Sequence, residues 1–342
     1  MNIVSKLGSA AIIAASLFAA SAALGQTKPA APAANVLIGT ATANDAQAAA
    51  AEKFAELLTK YSNGRFKASA RTGGALGSNQ QMVAALQAGA LHGMVTPTGI
   101  LSPAVPDIAL FDMPFLLPLA PAQMTAFAAQ SKAAARIAEL AEQKGIHIIG
   151  FHGIGPSSFL TTFPVSKLAD VRGKKFGATI PSPLRIAAYQ AWGWVTRPIG
   201  FDEVYSDLQQ GIIDAMEGPP DVVYRMRLYE VGKHYAVTGH YSLLANTIVS
   251  KKWFDGLPKD LQGVVTKAGK DAIVFADDAF TKAQNEGLAG LRKSATVTEM
   301  PPAEIQKMKD MTKGMIQKLE SDPQKGPIVK LLQEDAARFG KK

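Results

Sequence analysis

An α/β protein built as two lobes is what this sequence predicts, and three observations carry the prediction. From Val36 onward, short apolar runs alternate with longer stretches of helical period, the pattern of strands buried between helices. Past Ser157 the same rhythm starts again, as a second lobe would require. Residues 259–292 then hold Leu261, Val264, Val265, Ala268, Ala272 and Phe275 at helical spacing, over a length that at about 1.5 Å per residue reaches across both lobes.

A leader precedes the folded part. Lys6 is followed by an apolar run over residues 11–18 and by small residues up to Gly25, the layout of a secretory signal peptide over 1–25. The run is too short for a bilayer-crossing helix of about 20 residues, and no Cys follows to carry a lipid. The mature chain is therefore expected free in the periplasm, starting with a small-residue, Pro-containing disordered lead over 26–35.

The elements follow in order. Residues 36–39 read as a strand, and Asn44 with Gln47 resembles a capping box opening a helix. Phe54, Leu57, Leu58 and Tyr61 share one face of that helix until Asn63-Gly64 stops it. Residues 66–71 make a second strand, followed by the glycine-rich turn from Gly73 to Gly77 and a helix through Met82, Leu86 and Gln87. Residues 93–96 and 108–111 read as third and fourth strands, 121–143 as one long helix and 146–151 as a buried strand. In the second half 159–163, 174–178 and 195–199 are extended, with helices over 184–191 and 202–210, the latter ending at Gly211. Residues 243–249 are extended again and lead into the long helix. A tail helix over 303–319 sets Ile305, Met308, Met311, Met315, Ile316 and Leu319 on one stripe, read as core.

Composition excludes several kinds of chemistry. Cysteine is absent from all 342 residues, which removes disulfides, thiolate metal sites and cysteine nucleophiles. The net charge of +8 comes from short scattered pairs such as Lys174-Lys175 and Lys251-Lys252, so a nucleic-acid partner is not expected. The nearest approach to a dinucleotide loop, Gly153-Ile154-Gly155-Pro156-Ser157-Ser158, lacks the third glycine and carries a proline. The five histidines never form His-Glu-x-x-His, and Asp214 and Glu217, three residues apart, are too close in sequence for a glycosidase pair. Neither a cofactor nor a metal is expected. One enzymatic alternative stays open, a secreted serine hydrolase using Ser157 or Ser158 with His152 as base.

Residues 201–219, Phe-Asp-Glu-Val-Tyr-Ser-Asp-Leu-Gln-Gln-Gly-Ile-Ile-Asp-Ala-Met-Glu-Gly-Pro, resemble the signature of the solute-binding subunits of TRAP (tripartite ATP-independent periplasmic) transporters. Further matches lie at Phe54-Ala55-Glu56-Leu57, at Gly73–Ser78, at Met113-Pro114-Phe115-Leu116, over 167–175 and over 229–235. The resemblance implies a two-lobed periplasmic solute-binding fold with a ligand cleft between lobes and a long helix spanning both. It places 36–154 plus 244–284 in lobe I and 155–243 plus 285–342 in lobe II. It also implies a monomeric receptor that closes on a small solute and delivers it to the membrane permease subunits; a solute sensor is the variant of that reading.

The departures from the family pattern bear on the ligand. Relatives that bind carboxylates place an Arg where this chain has Gly177, gripping the acid through two parallel hydrogen bonds, and their supporting Asn falls on Gly218. Losing such a charged pair removes about 1.5–3 kcal/mol per hydrogen bond. The ligand is thus expected to be neutral or weakly acidic, or else an acid held by Arg185, unless Arg185 lies on the surface. Phe201 aligns with a ring that packs over the ligand, Trp194 is either a second ligand ring or core, and Thr42, Thr96, Thr98, Ser157 and Glu217 are the expected polar contacts, with backbone near Gly177 and Gly218.

Overall fold

The computed structural model describes residues 34–117 and 120–339, so the expected signal peptide and residues 26–33 of the lead lie outside it. In chain order the first elements are β1 (Ala34–Gly39), α1 (Ala46–Tyr61), β2 (Phe66–Arg71), α2 (Asn79–Ala88) and β3 (Gly93–Pro97). After two 3₁₀ segments come α3 (Pro121–Gln130), α4 (Lys132–Glu142) and β4 (Ile146–Thr161). The second half runs β5 (Lys175–Ala178), α5 (Pro183–Ala191), β6 (Val195–Pro198), α6 (Val204–Gln209), β7 (Ala215–Gly218) and α7 (Pro220–Arg225). The chain then returns through β8 (His234–Ser250), α8 (Lys251–Asp255), α9 (Lys259–Ser294), β9 (Thr296–Glu299), α10 (Pro302–Glu320) and α11 (Gly326–Phe339).

The strands join in the order β2-β1-β3-β8-β4-β7-β5-β6, with β9 added to β8. Two parallel groups, β2-β1-β3 and β7-β5-β6, are thus held apart by the antiparallel pair β4 and β8. These two strands belong to both lobes: β3 pairs with residues 245–249 of β8, whereas β7 pairs with residues 158–160 of β4. Their register slips at Ile148/Gly150, Gly153/Gly155 and Ser157/Phe159, and Gly155 sits at φ +123, a backbone region closed to residues with a Cβ. The bulges bend the ladder where the lobes meet. Helix α9, about 54 Å long at the standard rise, packs on α1 of one lobe and α7 of the other. Contact with α7 depends on Gly287, where a Cβ would stand 2.5 Å from the Asp221 backbone nitrogen.

Several sequence expectations need correction. Strand β1 starts at Ala34, so the last two residues of the expected disordered lead are paired with Phe66 and Lys67. The cap of α1 is Asp45, whose side chain accepts the Ala48 N–H at 2.8 Å; Asn44 stands at φ 60, and Gln47 reaches instead to the Thr40 and Thr42 hydroxyls. Residues 108–111 belong to the 3₁₀ segment Pro106–Asp112, opened by Pro106, in which Ile108 to Asp112 are all buried. A run with no polar face carries no period by which strand and helix can be told apart. The helix expected over 121–143 breaks at Ser131, which turns extended, caps α4 through Ala134 and donates to Asp335 at 2.7 Å. That Asp lies on α11, which buries Ile328, Val329, Leu332 and Ala336 and packs on α3 and α4, with Phe127 and Phe339 edge to face at 5.9 Å. Helix α11, part of the tail expected in lobe II, thus packs on two helices expected in lobe I.

Candidate functional site

A narrow cleft of about 60 Å³ opens where the lobes face each other. Its walls come from residues at or just past the C-terminal ends of parallel strands: Ala41 and Thr42 after β1, Pro97 at the end of β3, Thr179 and Ile180 after β5, Phe201 after β6, and Glu217, Gly218 and Pro219 at the end of β7. Loops at that edge are where open α/β sheets present ligand-binding groups. Ile154 and Ser157 of β4, Leu243 of β8 and Phe280 of α9 form the floor, and Gln47, Asn79 and Ile100 complete the first-lobe side.

Of the residues expected at the ligand, Thr42, Ser157, Phe201, Glu217 and Gly218 line this cleft. Thr96, Thr98, Gly177, Arg185 and Trp194 do not. Thr96 lies behind Asn79, donating to its Oδ1 at 3.5 Å, and Thr98 donates to the Leu244 carbonyl at 3.2 Å. Trp194 is core: its ring packs against Phe159 and Phe176, each at 5.1 Å between centroids. Gly177 lies away from the cleft, and a Cβ built on it would stand 2.7 Å from Cδ1 of both Ile199 and Ile213. The slot that an Arg would leave through is filled by hydrocarbon.

Arg185 is neither exposed nor free. Only 2% of it is accessible, and it sits over the Tyr241 ring at 4.2 Å. Its Nε and Nη2 go to Asp112 Oδ1 at 2.8 and 2.6 Å, and its Nη1 goes to Glu217 Oε1. Glu217 Oε2 meets His240 Nε2 at 3.0 Å, and His240 Nδ1 meets the Thr238 hydroxyl at 2.6 Å. Burial pushes the Glu217 carboxyl up, but Arg185 and the His240 hydrogen bond outweigh it and hold the group at about 2. Burial also lowers His240, against the pull of Glu217. The guanidinium charge is thus met by two carboxylates, Asp112 and the cleft-wall residue Glu217.

The remaining polar groups on the wall are uncharged. Gln47 donates to the Thr40 and Thr42 hydroxyls at 2.7 and 3.2 Å, and Thr42 donates to Asp45 at 2.9 Å. Ser157 Oγ is buried in the wall with no hydrogen-bond partner among the described residues, a position that a ligand group can satisfy. The hydrolase alternative finds no support in this geometry. Both His152 ring nitrogens lack partners among the described residues, the ring stacks on Phe280 at 5.6 Å, and burial drives its pKa down to about 3. Ser158 Oγ accepts the Thr238 and Gly239 N–H groups at 3.1 and 3.2 Å, so neither serine is bonded to a base. Sequence reasoning missed Gln47, Asn79, Thr179, Ile180 and Phe280. Thr179 and Ile180 directly follow a recognised strand and were legible by the strand-end rule; Phe280 looks like any other apolar residue of a long helix.

Known proteins share this architecture. The model of the bacterial extracellular solute-binding proteins, family 7, matches residues 38–322. A C4-dicarboxylate-binding periplasmic protein of Rhodobacter capsulatus is 30% identical over 250 residues, 73% of this chain and 74% of its own. An ectoine/5-hydroxyectoine-binding periplasmic protein of Ruegeria pomeroyi is 27% identical over 66% of each chain. Among solved structures, the sugar acid binding protein of Advenella mimigardefordensis in complex with galactonate superposes with a TM-score of 0.85 at 22% identity, over 90% of this chain and 99% of that one.

Proposed function

Because the chain belongs to family 7 of the bacterial extracellular solute-binding proteins, the solute receptors of TRAP transporters, we propose that it works in the periplasm as a non-enzymatic receptor for an uncharged, partly apolar solute. One observation carries the ligand class: among the described residues no cationic side chain lines the cleft, and the one charged residue of its wall, Glu217, is already engaged by Arg185 and His240. Hydrogen bonds to the solute would come from Thr42, Ser157, Thr179, Gln47 and Asn79, while Ile100, Ile154, Ile180, Phe201, Leu243 and Phe280 cover its apolar body. An anion brought into this wall would lose its hydration and gain no opposite charge, a loss that its hydrogen bonds do not offset. The bulged crossing of β4 and β8 supplies the bend about which the lobes close, and the closed form is the one handed to the membrane permease. Mass spectrometry of the small molecules released when the purified mature protein is denatured tests the reading. An uncharged compound with a hydroxyl- or amide-bearing end is expected; a stoichiometric carboxylate would overturn it.

A further inference from the structure

Behind the Thr42 side of the cleft, α1, α7 and α9 meet at a corner made of acceptors. Asp45 caps α1 from lobe I and is 4% exposed; its Oδ1 takes the Ala48 N–H at 2.8 Å and the Thr42 hydroxyl at 2.9 Å. Asp221 stands in the first turn of α7 in lobe II, fully buried, its Oδ1 taking the Gln284 Nε2 at 2.9 Å. Since that same amide nitrogen also donates to the Ile154 carbonyl at 3.0 Å, its orientation is fixed and Gln284 Oε1 remains an acceptor. Asp45 Oδ2, Asp221 Oδ2 and Gln284 Oε1 are all buried, and none finds a donor among the described residues. The neighbours Thr42 and Val222 both face into the cleft, so the corner borders the surface that lobe closure covers.

Of the charged groups around this corner, Arg225 pulls both carboxyls down, but burial outweighs it. Glu52 of α1, Arg225 of α7, and Lys282 and Glu286 of α9 line an outer recess with Asp45, and Arg225 is bound to Glu286 at 2.6 Å. Tyr235 of β8 gives its hydroxyl proton to the Gly218 carbonyl at 2.9 Å. Two carboxyls drawn from water into such a place, with no donor to their second oxygens among the described residues, cannot both keep a negative charge cheaply. We infer that lobe closure takes up a proton, held by the carboxyl pair Asp45 and Asp221, so that the closed receptor is favoured in mildly acid solution.

The titration positions agree in direction. Burial raises Asp45 to about 6, and burial together with the negative charge of Asp45 raises Asp221 to about 7. We infer that opening the lobes wets both carboxyls and returns them toward the ordinary 3.8, so that the closed form, with its values of about 6 and 7, binds more protons between 3.8 and about 7. Closure is then favoured at pH 5 and weakened as the pH rises toward 8.

The chain has no cysteine, so Ala84→Cys on α2 and Gln209→Cys on α6, both exposed and one in each lobe, accept spin labels at those positions alone. Pulsed electron paramagnetic resonance on the ligand-free protein then reads the separation of the lobes. The closed-to-open ratio is expected to rise about tenfold or more from pH 8 to pH 5. With Asp45→Asn and Asp221→Asn together, the closed distance is expected to dominate at both values. Asn keeps the acceptor for Ala48 and that for Gln284, so the fold is retained, and the comparison of the unsubstituted carboxyls across pH needs no variant there. Identical distance distributions at the two pH values, or a pH response that survives both Asn substitutions, overturn the proposal. Since no solute is added, the outcome does not depend on the ligand class.

Discussion

Arg185→Met is expected to lower folding stability by about 3–5 kcal/mol, because it leaves Asp112 and Glu217 as buried carboxylates without a counter-charge. Both are almost wholly buried, at 1% and 6% exposure, so water cannot take over the role of the guanidinium. Denaturant unfolding at pH 7 measures the loss, and adding Glu217→Gln is expected to restore part of it, with Asp112 still unpaired. The pH profile gives an independent check. The Glu217 carboxyl is held at about 2 against an ordinary 4.5, so its contribution is full above the ordinary value and is lost as the pH falls toward 2. In Arg185→Met that acid-side loss is expected to shrink. Equal stability of variant and parent across pH would show that the network contributes nothing to the fold.

The second large effect concerns Gly177. Placing an Arg there is expected to cost about 1–3 kcal/mol by overpacking, since its Cβ alone meets Ile199 and Ile213 at 2.7 Å. No carboxylate binding should accompany that loss, because the space beside Gly177 is filled by both isoleucines. Gly177→Arg combined with Ile199→Ala and Ile213→Ala removes both contacting Cδ1 atoms, and this triple variant is expected to recover part of the stability lost to overpacking and still to bind no simple carboxylate. Calorimetric titration with succinate checks the binding and denaturant unfolding the stability. Succinate binding by the parent protein, or a single variant as stable as the parent, would contradict the account of the filled space.

Much of the architecture was written in local pattern. Strands β1, β2, β3, β5 and β6 and helices α1, α2, α5, α9 and α10 follow from period, caps and glycine stops, because each presents one apolar face to one core. Long-range pairing was not legible. That β4 and β8 are single strands of 16 and 17 residues shared between lobes depends on bulges formed only when both are in place. The site divides along the same line. Phe201, Glu217 and Gly218 could be placed by a motif, Thr42 by a strand end, and Ser157 only by resemblance. The fate of Arg185 could not, since its partner Asp112 is 73 residues away and directly follows a segment that was read as a strand. Trp194 was ambiguous for a similar reason: a ring at the start of a strand can turn either to the ligand or to the core, and Phe159 and Phe176 decide it here.

The claim on which the functional account stands is that this cleft selects by hydroxyl and amide contacts rather than by charge. Matched pairs test it most directly: galactonate against its neutral lactone, and succinate against succinamide, each titrated calorimetrically into the mature protein. The account predicts that any heat of binding appears with the uncharged partner and is absent with the acid. Tight binding of the acids, with silence from their neutral counterparts, would contradict it.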